Sequence, residues 1–166
     1  IRDRSGAYPF ELAYRLINMY SVKDDTVIDP FLGTGTTTIA SMVAKRNSIG
    51  FEIEKGFKES IFNRAKDISK ISDEQIKLRL ENHALFVRNR LQENKEIKYV
   101  NKNYGFPVIT RQECELILDE IKEVIELEDE IHINYRKNPS IICKNNEIIN
   151  LNNTLLNYYS SKNHIQ

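Results

Sequence analysis

What the sequence has little of excludes several kinds of protein. Only two cysteines, Cys114 and Cys143, occur among its 166 residues, and neither lies near a pair of histidines. A disulfide framework and a zinc site are therefore not expected. No apolar run approaches the ~18 residues of a membrane-spanning helix, and no signal peptide is visible. These absences predict a reduced, cytoplasmic setting with no membrane span and no bound metal.

The chain also lacks an excess of either charge. It has 24 Lys and Arg against 24 Asp and Glu, so no global attraction to nucleic acid is expected. A hydrophobic content of 40% is enough for the core of a domain of ordinary size. The first residue is Ile1 rather than Met, and we interpret the chain as part of a longer protein.

The first 71 residues alternate between helical and strand patterns. "FELAYRLINMY" has apolar residues at helical spacing, which predicts a helix over residues 10–20. "TVID" and "NSIGFEI" are short apolar runs that predict buried strands. "TTTIASMVAK" and "KGFKESIFNRAKDISK" then predict the helices that follow them. Two successive strand–helix units imply a parallel sheet with helices on its faces, hence an α/β fold.

Beyond residue 71 the pattern changes. A long helix is predicted from its cap, Ser72, through "SDEQIKLRLENHALFVRNRLQEN", and strands are predicted around a Tyr104–Gly105 turn. "RQECELILDEIKEVIELEDE" predicts an acidic amphipathic helix and "IHINYR" a strand. We therefore expect a core over residues 1–71, an extension packed on it over residues 72–143, and an Asn-rich peripheral tail over residues 144–166.

A glycine turn, "DPFLGTGTT", follows the first predicted strand. Gly33 and Gly35 let backbone amides approach a ligand, and the following helix N-terminus favours anionic groups. A phosphate-binding P-loop needs a Lys before the Ser or Thr, and this turn has none. The dinucleotide fingerprint needs a third glycine, where Thr38 stands. Both phosphate-binding hypotheses weaken, and a plain tight turn remains the alternative.

Two acidic residues follow the predicted strands. Asp29 ends the first strand and Glu52 ends the second, 23 residues later. An acid in the first position can pair with a cationic amino group, and one in the second can accept both hydroxyls of a ribose. S-adenosylmethionine carries both groups and no pyrophosphate. The alternative for Glu52 is a solvated strand end.

These motifs together resemble a known family. "DPFLGTGTT" followed by "NSIGFEIE" resembles motifs I and II of the S-adenosylmethionine-dependent DNA amino-methyltransferases, which make N6-methyladenine or N4-methylcytosine. "YPFELAYRLI" resembles their motif X, which precedes motif I in the permuted β class. The resemblance covers about residues 5–61, and it departs from the family where a His-Pro pair is replaced by Arg4-Ser5. It implies a partial Rossmann-like methyltransferase core with a parallel sheet, followed by a C-terminal α+β extension.

The resemblance also implies which residues bind the methyl donor. Glu52 would hold the ribose, and the hydroxyls or amides of Thr36 and Thr37 would hold the methionine end. A staple at the start of a helix is the alternative role of the motif X pair, Pro9-Phe10. The residues implied to bind S-adenosylmethionine are Pro9, Phe10, Asp29, Phe31, Gly33, Thr34, Gly35, Thr36, Thr37 and Glu52.

One part of the family's machinery is missing from the sequence. The family holds the target amine with an Asp/Asn/Ser-Pro-Pro-aromatic loop, and the aromatic residue of this loop stacks on the flipped base. No two of the four prolines here are adjacent, so no catalytic residue is assigned. In the permuted class this loop and the target-recognition region precede motif X. We therefore expect a C-terminal portion that is inactive alone and meets double-stranded DNA through an upstream portion.

Two other functions remain open. RNA guanine-N2-type methyltransferases also use Asp-Pro-x-x-Gly-x-Gly but place their catalytic loop after it. A non-catalytic remnant that binds the donor would need no such loop. The sequence does not choose between adenine and cytosine, and it indicates neither a recognition sequence nor an oligomeric state.

Overall fold

The computed structural model describes residues 8–137, which form two compact units. One unit holds the residues up to Asp73 together with Asp119–Arg136, and the other holds Glu74–Leu118. Residues 119–136, which the sequence analysis grouped with the extension, thus belong to the unit that contains the glycine turn. The expected tail over residues 144–166 lies outside the described residues.

The first unit begins with the predicted alternation of helices and strands. The helices here are α1, Phe10–Tyr20, α2, Thr36–Val43, and α3, Gly56–Lys66. The strands are β1, Thr26–Asp29, which precedes α2, and β2, Asn47–Gly50, which follows it. α1 and β1 have the bounds that periodicity predicted. A mixed fold with a small parallel sheet is therefore confirmed.

The parallel pairing of β1 with β2 decides which side chains face the helices. Val27 packs beside Ala13, Ile17 and Ala40 of α1 and α2. Successive side chains of a strand point to opposite faces, so the next residue, Ile28, faces away from that cluster. Ile28 pairs in register with Ile49, and both side chains are exposed.

β2 is shorter than predicted. It ends at Gly50, whereas the apolar pattern extended to Ile53. Phe51 still donates its amide to the carbonyl of Asp29 over 2.9 Å, but the chain then turns away. The side chain of Leu32 packs closely on Gly50, because a Cβ at Gly50 would lie only 2.6 Å from Cδ1 of Leu32. Glu52 therefore follows the strand by two residues instead of ending it.

The long helix, α4, starts earlier than predicted. It spans Ile68–Gln92, so Ser72 lies inside the helix, 1% exposed, and the prediction that it caps the N-terminus is wrong. The amides of Lys70 and Ile71 already donate to the carbonyl of Asp67. Burial of Ile68 in the core of the first unit stabilises this earlier turn.

The predicted acidic helix is also wrong. Its segment contains a short 3₁₀ helix, Arg111–Glu115, and a strand, β5, Asp119–Glu126. β5 pairs with β6, Ile131–Lys137, as a hairpin in which Leu127 donates its amide to the carbonyl of Glu130 over 2.9 Å. Apolar side chains of both strands join the core of the first unit, namely Ile121, Val124, Ile131, Ile133 and Tyr135. That burial favours the strand over the local helical spacing.

The second unit contains most of α4 and the predicted strand pair. β3, Tyr99–Val100, pairs antiparallel with β4, Pro107–Val108. The turn between them is fixed by Asn101, which is fully buried and donates from its amide nitrogen to the carbonyls of Glu113 and Leu116 over 2.7 and 2.9 Å. The buried residues that pack around this turn are Ile76, Leu80, Tyr104, Phe106, Val108 and Leu118.

Two kinds of feature are absent from residues 8–137. No helix there has the length and apolarity needed to cross a membrane. Within the same range, no three His, Cys, Asp or Glu side chains cluster in a way that could hold a metal ion.

Candidate functional site

The glycine turn joins β1 to α2 through two left-handed residues. Gly33 has φ 54° and Gly35 has φ 78°, a region that glycine adopts without steric cost. Leu32 donates its amide to the carbonyl of Phe51, and Gly35 donates back to the carbonyl of Leu32, each over 2.9 Å. The turn is therefore held to the chain that leaves β2.

Gly35 also caps α2, which starts at Thr36. The first amide to bond back along this helix is that of Ile39, which donates to the carbonyl of Gly35 over 3.0 Å. The amides of the preceding threonines have no partner within the helix, as at any helix start. They carry the positive end of the helix dipole and can bind an anionic group such as a carboxylate.

The Asp29 carboxylate faces this helix start. Its Oδ1 accepts the amide of Phe31 over 3.0 Å, and its Oδ2 accepts the hydroxyl of Thr37 over 2.5 Å. The Thr37 hydroxyl also forms a hydrogen bond with the hydroxyl of Tyr8. A carboxylate has about four acceptor positions, so Asp29 is oriented by these bonds and can still bind a cationic amino group.

The Glu52 carboxylate contacts the same turn from the segment that follows β2. Its Oε2 accepts the amide of Gly33 over 2.8 Å, and its Oε1 accepts the amide of Glu54 over 2.8 Å. Each oxygen therefore accepts a backbone amide, and these two bonds orient the carboxylate. The half-buried side chain thus holds the glycine turn to the segment that follows β2.

Apolar side chains stand exposed around the two acids. Phe31 is 87% exposed, Ile53 is 99% exposed and Phe51 is 59% exposed. Isolated exposed apolar residues are ordinary, but three beside one turn make a surface on which a planar ring can pack.

The motif X residues have a different environment. Pro9 directly precedes α1 and accepts the amide of Leu12 over 3.1 Å. The ring of Phe10 stacks on Tyr14 with 5.6 Å between centroids, and it packs against both core clusters of the first unit. These contacts show that Phe10 packs on the core at the start of α1, while the proposed contact of both residues with the donor stays a prediction.

α3 supports the turn through residues that the sequence analysis did not single out. Nη1 of Arg64 donates to the carbonyl of Thr34 over 2.6 Å. A Cβ on Gly35 would lie 2.8 Å from Cγ1 of Ile61, one helical turn earlier. Neither residue belongs to a recognisable motif, and the only signal was a basic residue on the half-buried side of an amphipathic helix. Tyr8 was likewise missed, although it adjoins Pro9.

A separate open groove lies between the start of α3 and the turn of the hairpin. Its volume is about 530 Å³, and none of the predicted donor-binding residues lines it. Lys58 forms an ion pair with Asp129 at its edge, with 2.7 Å between Nζ and Oδ1. The side chains that line the groove have mixed charge, namely Lys55, Lys58, Glu59, Phe62, Glu126, Leu127 and Glu128. The carboxylates of Asp29 and Glu52 lie at the glycine turn instead.

Comparisons with known proteins agree with the predicted family. Residues 5–64 match the model of a family described as DNA methylase. The chain is 51% identical over 118 residues to the type II methyltransferase M.MthZI of Methanothermobacter thermautotrophicus. The aligned stretch covers 71% of this chain and 32% of that protein. The chain is also 54% identical over 61 residues to the type II methyltransferase M.MjaI of Methanocaldococcus jannaschii, which covers 37% of this chain and 20% of that protein. No solved structure matches the chain.

These matches confirm the predicted resemblance to the DNA amino-methyltransferases. The chain spans about a third of M.MthZI and a fifth of M.MjaI. The similarity to M.MthZI extends well beyond the glycine turn, since an alignment that covers 118 of the 166 residues necessarily includes residues 49–118. Glu74–Leu118 of the second unit therefore lie within the similar region.

Proposed function

We propose that this chain binds S-adenosylmethionine and forms the donor-binding part of a DNA amino-methyltransferase. The observation that carries the proposal is that two carboxylates, those of Asp29 and Glu52, are both held by hydrogen bonds at one glycine turn at the start of α2. The acceptor is the N6 amino group of adenine or the N4 amino group of cytosine. The match to the DNA methylase family and the type II methyltransferase relatives support this assignment.

Each part of the turn has a role in this proposal. The carboxylate of Asp29 binds the ammonium of the methionine moiety, and the amides at the start of α2 bind its carboxylate. Glu52 accepts the ribose hydroxyls, and Phe31 with Ile53 contacts the adenine. When bound, S-adenosylmethionine supplies a methyl group activated by its positively charged sulfur. These residues hold that methyl group in place for direct transfer to an amino nitrogen, with no covalent enzyme intermediate.

The acceptor half of the reaction is proposed to come from outside this chain. A Pro-Pro-aromatic loop is missing from its sequence, in which no two prolines are adjacent. We assign the loop, the contact with double-stranded DNA and the catalytic residues to a further part of the protein, upstream in the permuted order. In that arrangement α1, β1, α2, β2 and α3 are part of a Rossmann-like core, and the chain alone is inactive.

Calorimetric titration of the chain with S-adenosylmethionine tests the donor site. Binding is expected in the wild type, and Glu52→Ala should weaken it by about tenfold or more, the effect of losing one good polar contact. Gly35→Asp should weaken it as well, because a side chain at this left-handed position meets Ile61 and its carboxylate repels that of the donor. Glu54→Ala is the matched control, because the backbone amide that Glu54 donates to Glu52 survives the substitution. A folded wild-type chain that binds no donor would overturn the proposal.

A non-catalytic, donor-binding role is the second candidate, and the missing Pro-Pro-aromatic loop favours it. Transfer of a radiolabelled methyl group to double-stranded DNA distinguishes the two. The complete protein that contains this chain should label DNA, and digestion to nucleosides should identify N6-methyladenine or N4-methylcytosine. Donor binding without labelling of any DNA would favour the non-catalytic role. Labelling of RNA at guanine would instead favour the RNA guanine-N2-type alternative.

A further inference from the structure

Arg64 holds one end of a single peptide unit in the glycine turn. Its Nη1 donates to the carbonyl oxygen of Thr34 over 2.6 Å. The amide at the other end of that peptide unit belongs to Gly35, and it donates to the carbonyl of Leu32 over 2.9 Å. Both polar groups of the Thr34–Gly35 peptide are therefore bonded, one to α3 and one within the turn.

The orientation of this peptide matters for the start of α2. Gly35 has φ 78° and is the N-cap of the helix, so rotation of the preceding peptide changes the direction in which the first helical amides point. Rotation would also exchange the positions of the carbonyl oxygen and the amide. That exchange would point the Thr34 carbonyl at the carbonyl of Leu32 and break the bond from the Gly35 amide, so the turn that leads into α2 would lose its shape.

The same face of α3 also limits how closely the glycine turn can approach this helix. Ile61 lies three residues before Arg64, and residues at that spacing lie side by side on a helix. Ile61 is 7% exposed, and its Cγ1 would be 2.8 Å from a Cβ on Gly35. Ile61 thus sets the separation of α3 from the turn, and the guanidinium of Arg64 sets the rotation of the peptide.

We propose that Arg64 is a positioning residue of the methyl-donor site, which acts by fixing the Thr34–Gly35 peptide; this inference rests on the proposed function. Arg64 acts on the donor through the backbone of the turn. A planar guanidinium suits this task because its N–H groups have fixed directions, whereas the ammonium of a lysine is a flexible point charge. Charge-assisted hydrogen bonds are also roughly twice as strong as neutral ones.

Two measurements on the complete chain test the inference. The first is the Kd for S-adenosylmethionine by calorimetry in the wild type, R64A and R64K. The second is the hydrogen-exchange rate of the Gly35 amide, which depends on the turn and needs no ligand. The amide of Ala44, which donates to the carbonyl of Ala40 over 3.0 Å at the other end of α2, is the internal reference.

R64A should weaken donor binding by about tenfold and should speed exchange at Gly35 by a similar factor, as expected for loss of one charge-assisted hydrogen bond. Exchange at Ala44 should not change. R64K should recover part of both effects. K66A is the matched control on the same helix, because Lys66 is exposed and donates to the side chain of Asn63 over 3.1 Å, and it should behave as the wild type.

Unchanged donor binding in R64A, with a wild type that binds, would overturn the inference. Equal loss of protection at Gly35 and Ala44 would also overturn it, because it would indicate general destabilisation. If the wild type binds no donor, the proposed function fails, and exchange at Gly35 still decides whether Arg64 fixes the turn. Should R64A fail to fold, R64K carries both measurements, with a smaller expected change in each.

Discussion

The Gly33 amide donates to Oε2 of Glu52 over 2.8 Å. This bond joins the residue that the resemblance assigns to the ribose with the turn that it assigns to the methionine end. Glu52 therefore stabilises the turn in the free protein, beside any contact it makes with a ligand. The two roles can be separated by substitutions that remove the charge or the whole side chain.

Glu52→Gln and Glu52→Ala should differ in stability and agree in binding. Glutamine keeps one carbonyl oxygen that can accept the Gly33 amide but loses the bond from the Glu54 amide, whereas alanine loses both bonds. Alanine should therefore lower the free energy of unfolding by about 1 kcal/mol more than glutamine does. Both should weaken the affinity for S-adenosylmethionine, because neither retains two acceptor oxygens. Urea denaturation and calorimetry measure the two effects. Wild-type affinity in both variants would show that Glu52 does not contact the donor.

Gly35→Ala should cost more stability than Gly105→Ala. Both glycines have positive φ, 78° and 72°, so both substitutions introduce backbone strain of about 1–2 kcal/mol. At Gly35 the added Cβ also meets Ile61, whereas a Cβ on Gly105 would meet no heavy atom of residues 8–137 within 4 Å beyond its chain neighbours. Overpacking should add about 1–3 kcal/mol. Thermal or urea unfolding compares the two.

The contact with Ile61 can be isolated by a double-mutant cycle. Because Ile61→Ala removes both Cγ atoms, Gly35→Ala should be less destabilising in that background than in the wild type. Equal costs in both backgrounds would mean that backbone strain alone excludes a side chain at Gly35.

Thr37→Val should weaken both the turn and the donor site. Valine has nearly the same shape but cannot donate to Oδ2 of Asp29, a bond of 2.5 Å in the wild type. Loss of a hydrogen bond to a carboxylate should lower the free energy of unfolding by about 1.5–3 kcal/mol, less where water replaces the donor. Thr38→Val, one residue along the same helix, is the matched control. If both variants behave alike in denaturation and in calorimetry, Thr37 does not orient Asp29.

Tyr135→Phe should change how stability responds to alkaline pH. The Tyr135 hydroxyl donates to the carbonyl of Met42 over 2.6 Å, and burial, with the carboxylates of Asp119 and Asp24, raises its pKa. Because its pKa is raised, the hydroxyl loses its proton less readily in the folded chain than in the unfolded chain. The stabilisation is fully present below the unfolded pKa of about 10 and is lost as pH rises above it, when only the unfolded chain ionises.

Below pH 9 the variant should lose about 1 kcal/mol for the missing hydrogen bond. Above pH 10 its free energy of unfolding should fall less steeply than that of the wild type, as measured by urea denaturation across the range. Tyr20→Phe alters a side chain that is 79% exposed and is the control. Parallel curves for Tyr135→Phe and the wild type would contradict the burial of this hydroxyl.

The sequence determined those elements whose patterns depend only on residues a few positions apart. The helix over residues 10–20 and the strand over residues 26–29 have the predicted bounds, since apolar spacing and β-branched residues act within a few positions along the chain. The glycine turn followed from the same local logic, because only glycine adopts left-handed φ without cost at Gly33 and Gly35. The resemblance to the DNA amino-methyltransferases depended on this segment, and the family match covers it.

Tertiary structure decided the elements whose neighbours are distant in sequence. The acidic stretch that became β5 has a helical spacing, but burial of Ile121 and Val124 in the first unit selected a strand. Arg64 and Tyr8 reach the glycine turn across 30 and 29 residues. No periodicity encodes such contacts, because they exist only once the chain has folded. The sequence by itself thus determined where the turn lies, and only the folded chain decided which side chains hold it.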